Sequence, residues 1–518
     1  MSPVASPLSA IDASESIFEQ IQNDDYARVL VGVTRLRTRL VSSQLHEGKY
    51  DDDDKHFSAQ VTPAIIERLV HVLQSDKATS VLQFEVAWTL STLAVGTSDA
   101  TRLVDAGVIP VASHLLQHTT IQDIRIKLIC LLANIAGDSP TNHDRVHDSP
   151  ALGHVLAIGN ALRDPDAERD LFRHVAWFLS NIFRDKHHSQ MSNDDVVEPS
   201  IAILARMLIL DDVETRRDAC WALTYLSDDV GVLESMSKHP GLLERIVHLA
   251  AGTDEDDVIP ALRVAGNMAC GDDTQCQRII NAGILRVVGH ILTSSVVAAA
   301  AAATAAAATA AASLSSDVTM ETETSSVSST SHFKHVRRDA LWVLSCIAYG
   351  MPEHVESIIA ADLFPKVVRA VREAESFHAK QNAVCVLMHA IRRGTDQQVR
   401  YIVGQDALPC LCANLIAPDA DDSLDALLAI ERVLYVGVAD GSYTNNMYAE
   451  MVETHGGIDN MEALINHENE IISTTAQKIL DTFFVLGEEE EEEEKDLNVC
   501  PPVATPVKSI PSDANMNA

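Results

Sequence analysis

Apolar positions along this chain recur every three to four residues, and RRDACWALTYLSD (Arg216–Asp228) shows the pattern well. Ala219, Cys220, Ala222, Leu223 and Leu226 fall where one helix can bury them. Trp221 and Tyr225 stand four residues apart and share a second face. The spacing predicts a packed helix that also presents an aromatic and polar surface. Similar stretches recur: FEVAWTLSTLAVG with Trp88 and Thr92, FRHVAWFLSNIFRD with Trp177 and Asn181, and RRDALWVLSCIAYG with Trp342 and Cys346. A chain that repeats one helix in this way predicts a repeat array.

From Pro63 a unit reads as a short helix, a turn, a second helix and a long third helix. AGVIPVASHLL (Ala106–Leu116), NAGILRVVGHIL (Asn281–Leu292) and AADLFPKVVRAV (Ala360–Val371) carry the turn; Pro110 lies near a helix start, where its missing N–H costs little. Aligning the third helices puts Trp88, Cys130, Trp177, Trp221, Arg263, Trp342 and Cys385 at one position. The steps are 42, 47, 44, 42, 79 and 43 residues. A period near 42 belongs to three-helix armadillo-type arrays. The expected fold is therefore all-α, a right-handed α-solenoid of about ten such repeats. The long step coincides with 293–331, an Ala run followed by Ser and Thr, which reads as an inserted low-complexity loop. Residues 15–487 are assigned to the solenoid. Residues 1–14 are expected to be a disordered N-terminus, and 488–518, which open with an acid run, a disordered acidic tail. Ile17–Val41 reads as one helical pattern whose Arg28, Arg35, Arg37 and Arg39 form a solvated face. Residues 46–58, including DDDDK, read as an acidic linker.

Composition narrows the chemistry. The 518 residues are too many for one compact core, which suits an extended array. Aromatics are only 4% of the chain and the formal net charge is −35. That charge disfavours nucleic acid and anionic membrane and favours basic ligands. Nine cysteines show no CxxC pair, and Cys220 and Cys270, inside apolar runs, read as buried free thiols of a reducing compartment. No signal peptide and no apolar run of ~20 residues is evident. There is no nucleotide loop, metal-ligand cluster or nucleophile signature, so neither an enzyme nor a cofactor is expected. His187 and His188 read as surface residues.

Equivalent positions of successive repeats stack into a ladder along the concave face. Here the ladder is Trp followed one turn later by a polar residue, with Asn134, Asn181 and Asn267 in that second place. An Asn amide offers donor and acceptor to an extended peptide backbone. Trp rings form slots for aliphatic stems and attract cations. Asp138, Asp218, Asp273 and Asp339 lie near the ladder and select Lys or Arg. Taken singly, each Trp and Asn is an ordinary packing or solvated residue; recurrence at one register makes the pattern informative.

These residues resemble the importin-α family of nuclear import adaptors. QFEVAWTLSTLAVGTSDAT, LLANIAGD, VAWFLSNIFRDK, DACWALTYLSD and PALRVAGNMACGDD are similar to successive repeats of that family, and HGGIDNMEALINHENEIISTTAQKILDTFF to its last. The resemblance implies binding of Lys/Arg-rich nuclear localisation signals and residence in cytoplasm and nucleus. It implies a larger site of Trp88, Asn134, Trp177, Asn181, Asp218 and Trp221, with a lysine pocket of Gly96, Thr101 and Asp138. It implies a smaller site of Arg263, Asn267, Asp273, Asp339 and Trp342. Departures are Thr92 for Asn, Cys130 for Trp and Lys127 for a neutral residue in the larger site. In the smaller, Cys346, Cys385 and His389 stand for Asn, Trp and Asn, and Asn382 for an acid. The larger site is therefore expected to bind weakly or with altered preference and the smaller to be largely disabled. The implied partners are basic cargo signals, importin-β, and a nuclear export factor at the C-terminal repeats. Residues 1–27 hold neither Lys nor Arg, so the basic importin-β-binding segment is not expected here. The alternative reading is an armadillo scaffold or cargo-sequestering regulator with a degenerate groove.

Overall fold

In the computed structural model the described residues are 16–45, 60–95, 97–184, 194–293, 326–373, 376–443 and 445–484. All their regular structure is helical. Ten long helices form the inner ladder: α1 (Tyr26–Leu45), α2 (Ser80–Leu93), α3 (Gln122–Ala136), α4 (Arg169–Arg184), α5 (Val213–Ser227), α6 (Glu255–Ala269), α7 (Ser326–Ala348), α8 (Phe377–Arg393), α9 (Ala420–Asp440) and α10 (Glu470–Phe483). Each packs against the next, with the shorter helices of each repeat behind it. None of the described helices is long and apolar enough to cross a membrane.

Local chemistry sets the boundaries. The Thr79 hydroxyl accepts from Leu82 N–H at the start of α2, and the Asp212 carboxylate accepts from Thr215 N–H at the start of α5. The turn between the two short helices needs a left-handed residue. Gly107 and Gly283 supply it with φ of 80° and 100°, and Asp362 takes the equivalent place with φ of 52°. Behind the ladder the apolar face closes the core: Val86, Leu128, Phe178, Cys220, Leu223 and Leu344 are all fully buried. Each Leu so buried contributes ~1.5–3 kcal/mol relative to exposure.

Ion pairs stitch neighbouring repeats. Arg37 binds Glu85 at 2.6 Å, Arg173 reaches Asp212, and Arg216 meets Asp257 at 2.8 Å. The Arg173 guanidinium holds the Asp212 carboxyl well below the usual range.

Four expectations change. Ile17–Val41 is not one helix. A short helix, Ile17–Gln22, ends where Asn23 and Asp25 side chains accept the backbone N–H groups of Asp25 and Ala27. It then lies so close to α1 that a Cβ on Gly32 would sit 2.8 Å from Gln20 Cβ. The solvated face also fails for two arginines: Arg35 donates to Gln20 Oε1, and half-buried Arg37 is held by Glu85. Cys270 is not a free thiol, because it is joined to Cys346 in a disulfide; Cys220 is free and buried. Finally, α7 begins at Ser326, inside the expected loop 293–331, since nothing in Ser326–Ser331 interrupts a helix. α6 and α7 pack directly although the insert separates them in sequence. The expected N-terminal and C-terminal tails, the linker 46–58, His187 and His188 lie outside the described residues.

Candidate functional site

The ladder position, the residue three before it and the residue four after it share one face of each inner helix. The residue four after makes a recurrent bond. Asn134 Nδ2 donates to the Ser91 carbonyl at 2.9 Å, and Asn181 Nδ2 to the Ala133 carbonyl at 3.3 Å. Asn267 Nδ2 reaches Thr224 O at 3.4 Å, and His389 Nδ1 lies 3.1 Å from Ser345 O. The partner is always a carbonyl of the preceding inner helix, three residues beyond its own ladder position. Each of these Asn side chains therefore ties two repeats together, and Asn134 and Asn181 keep Oδ1 and a second N–H for other partners.

The first part of the larger site is already supplied with cations. The Arg37 guanidinium, from α1, lies 4.0 Å from the Trp88 ring centroid, and Lys127 Nζ, from α3, lies 4.5 Å from it. Thr92, where an Asn was expected, donates to the Trp88 carbonyl of its own helix at 2.9 Å. The Cys130 thiol is pushed up to about 11 by burial, so it stays neutral at pH 7. Thr101 and Asp138 are brought together by a residue the sequence did not single out. Asn142 is buried, and its Nδ2 donates to Thr101 Oγ1 at 3.1 Å and Asp138 Oδ2 at 2.8 Å. Its position four residues after Asp138, in the first turn of the following helix, is the signal that would have found it. Gly96 lies outside the described residues.

The next part differs. Trp177 is half-buried, touches His174 edge-on, and has no cation of the described residues over its ring. Asn181 is buried beside it. Asp218, on α5, is one fifth exposed, and burial raises its carboxyl above the usual range although Arg217 lies 3.4 Å away. Trp221 stacks on Tyr225 at 5.8 Å, with Arg263 5.4 Å from its ring.

The smaller site is filled from within. Asp339 is buried and held by Arg338 at 2.7 Å and by Arg263 at 3.6 Å. Asn267 also binds Ser227 Oγ and Asp228 Oδ1. The Trp342 ring lies on Gly266, where a Cβ would stand 2.1 Å from ring carbon Cζ3. Cys346 is bonded to Cys270, Asn382 donates to Arg338 O, and burial raises the Cys385 thiol to about 12. Asp273 is exposed at the start of its helix. Among the described residues no group of three His, Cys, Asp or Glu is placed to hold a metal.

A helical solenoid whose inner helices carry Trp, Asn and Asp in register defines a class: the α-helical repeat proteins. Sequence comparison carries the assignment further. The chain is 29% identical over 484 residues to importin subunit alpha-1b of Oryza sativa subsp. japonica, covering 93% of this chain and 80% of the relative. It is 32% identical over 415 residues to importin subunit alpha-4 of Arabidopsis thaliana, covering 79% and 69%. It is 31% identical over 430 residues to importin subunit alpha-5 of the same plant, covering 83% and 74%. Residues 446–498 match the atypical Arm repeat family. A crystallised engineered protein of 19% identity shares the fold with a TM-score of 0.68 over 90% of this chain and 98% of its own. The chain belongs to the importin-α family, and its architecture is an armadillo-repeat solenoid.

Proposed function

We propose that this chain is an adaptor that binds extended Lys/Arg-rich nuclear localisation signals along its concave face. The binding core is Trp177, Asn181, Asp218 and Trp221, extended by Asn134 and by the Thr101 and Asp138 pair. The observation that carries this reading is that adjacent inner helices carry Trp177, with no described cation over its ring, and Asp218, a partly buried carboxylate. A lysine stem packs on the indole while its ammonium restores charge balance to the acid, worth ~0.5–2 kcal/mol for the ring contact alone. Asn181 and Asn134 hold the peptide backbone with the donors and acceptors their inter-repeat bonds leave over. Kinship with importin α subunits supports a role in protein import and movement between cytoplasm and nucleus; pairing with importin-β would use a contact other than a basic segment within residues 1–27, which hold neither Lys nor Arg, and an export factor at the C-terminal repeats belongs to the same reading.

Fluorescence polarisation with a labelled basic signal peptide tests it. Wild type binds at micromolar concentration, and Asp138→Lys weakens binding about tenfold, the effect of ~1.4 kcal/mol. No binding at tens of micromolar, or equal binding by Asp138→Lys, sinks the adaptor reading. The second reading, a scaffold or cargo-sequestering regulator, is favoured by the internally paired Asp339, and equal binding would leave it standing.

A further inference from the structure

We propose that the Trp88 slot of the larger groove selects an acidic side chain, so that the preferred ligand is a basic extended peptide interrupted by one Glu or Asp. The inference rests on the localisation-signal reading and names the specificity of that same groove. Four observations carry it. Lys127 Nζ stands 4.5 Å from the Trp88 centroid, where the ammonium of a bound lysine would otherwise sit. No carboxylate of the described residues lies within ion-pair distance of Lys127. The nearby acid, Glu85, is already bound by Arg37 at 2.6 Å, and the Arg37 guanidinium also covers Trp88 at 4.0 Å. Cys130 and His174, which both feel the Lys127 charge, supply no negative charge: burial pushes the thiol up to about 11 and holds the imidazole below its ordinary value.

A second cation entering this slot must displace Lys127 or sit beside two positive charges. An acidic side chain instead meets a half-buried ammonium with an open hydrogen-bonding shell. Two inner helices further on, past Cys130 on α3, the balance shifts: no described cation lies over the Trp177 ring, and the next inner helix carries Asp218, a partly buried acid whose neighbour Arg217 stands 3.4 Å away. The groove thus alternates in charge along its axis, and a peptide carrying one acid at the right distance from its basic cluster matches both slots at once.

The test is a substitution scan. A short, extended, Lys/Arg-rich peptide is made with Glu at each position in turn, and each is titrated by fluorescence polarisation against wild type, Lys127→Gln and Lys127→Glu. Thermal melting shows that all three proteins fold. At one position wild type binds the Glu peptide at least as tightly as the Lys peptide. Lys127→Gln prefers Lys there by about fivefold, the upper end for a partly exposed charge pair, and Lys127→Glu by more. If wild type prefers Lys at every position, or if the Glu preference persists in Lys127→Gln, the acidic slot is wrong while the groove reading stands. If neither protein binds any peptide of the series, the localisation-signal reading falls and this inference falls with it.

Discussion

The Trp88 and Trp177 slots occupy the same place in two repeats of one solenoid, with the Cys130 repeat between them, yet they differ in what reaches the ring. Trp88 has Arg37 and Lys127 over it, both from its own chain; Trp177 has none of the described cations over its ring, and the next inner helix carries the partly buried Asp218. The smaller groove goes further, with Asp339 consumed by Arg263 and Arg338. An aromatic ladder is therefore not itself a binding site. What the chain's own cations already occupy separates the slots: Arg37 and Lys127 lie over Trp88, and Arg263 and Arg338 hold Asp339.

The strongest way to break this comparison is to remove each ring while keeping apolar bulk. Trp177→Leu should weaken a basic peptide at least tenfold, a loss of ~1.4 kcal/mol or more, whereas Trp88→Leu should change it less than about threefold. Equal losses by fluorescence polarisation would abolish the distinction. Gly266→Ala should come next: the new methyl collides with the Trp342 ring and costs about 1–3 kcal/mol in urea unfolding. Its peptide affinity should stay unchanged, because the larger groove is untouched.

Asp218→Asn should lower affinity about fivefold at neutral pH. The Asp218 carboxyl is raised by burial, and only its ionised form attracts a cation. Wild-type affinity should therefore fall as pH drops through that raised value, and the Asn variant should lack this step. A flat wild-type profile would remove Asp218 from the site. The smallest effect is expected for Asn134→Ala. It loses one bond to Ser91 O, worth ~0.5–1.5 kcal/mol of stability, measurable as a shifted urea midpoint.

The fold was legible because the apolar period and the left-handed turn residues act locally. Trp88, Trp177, Trp221 and Trp342 were aligned from spacing alone, and they stand in register on α2, α4, α5 and α7. What spacing did not disclose were contacts between repeats. Arg37 read as solvated because its partners, Glu85 and Trp88, lie a full repeat away. Asn142 went unnoticed because Thr101, which it joins to Asp138, belongs to the previous repeat. Cys346 was identified as a departure from Asn, but not as the partner of Cys270, 76 residues away.

The bonds from Asn134, Asn181, Asn267 and His389 to the preceding helix have a mechanical consequence. The side chains offered to a ligand are also struts that set the spacing of the superhelix. Any ligand that draws on those amides works on the pitch of the whole spring, and any force that stretches the spring pulls on the amides. Tension along the solenoid would therefore be felt first at these inter-repeat bonds, before any change in the helices themselves.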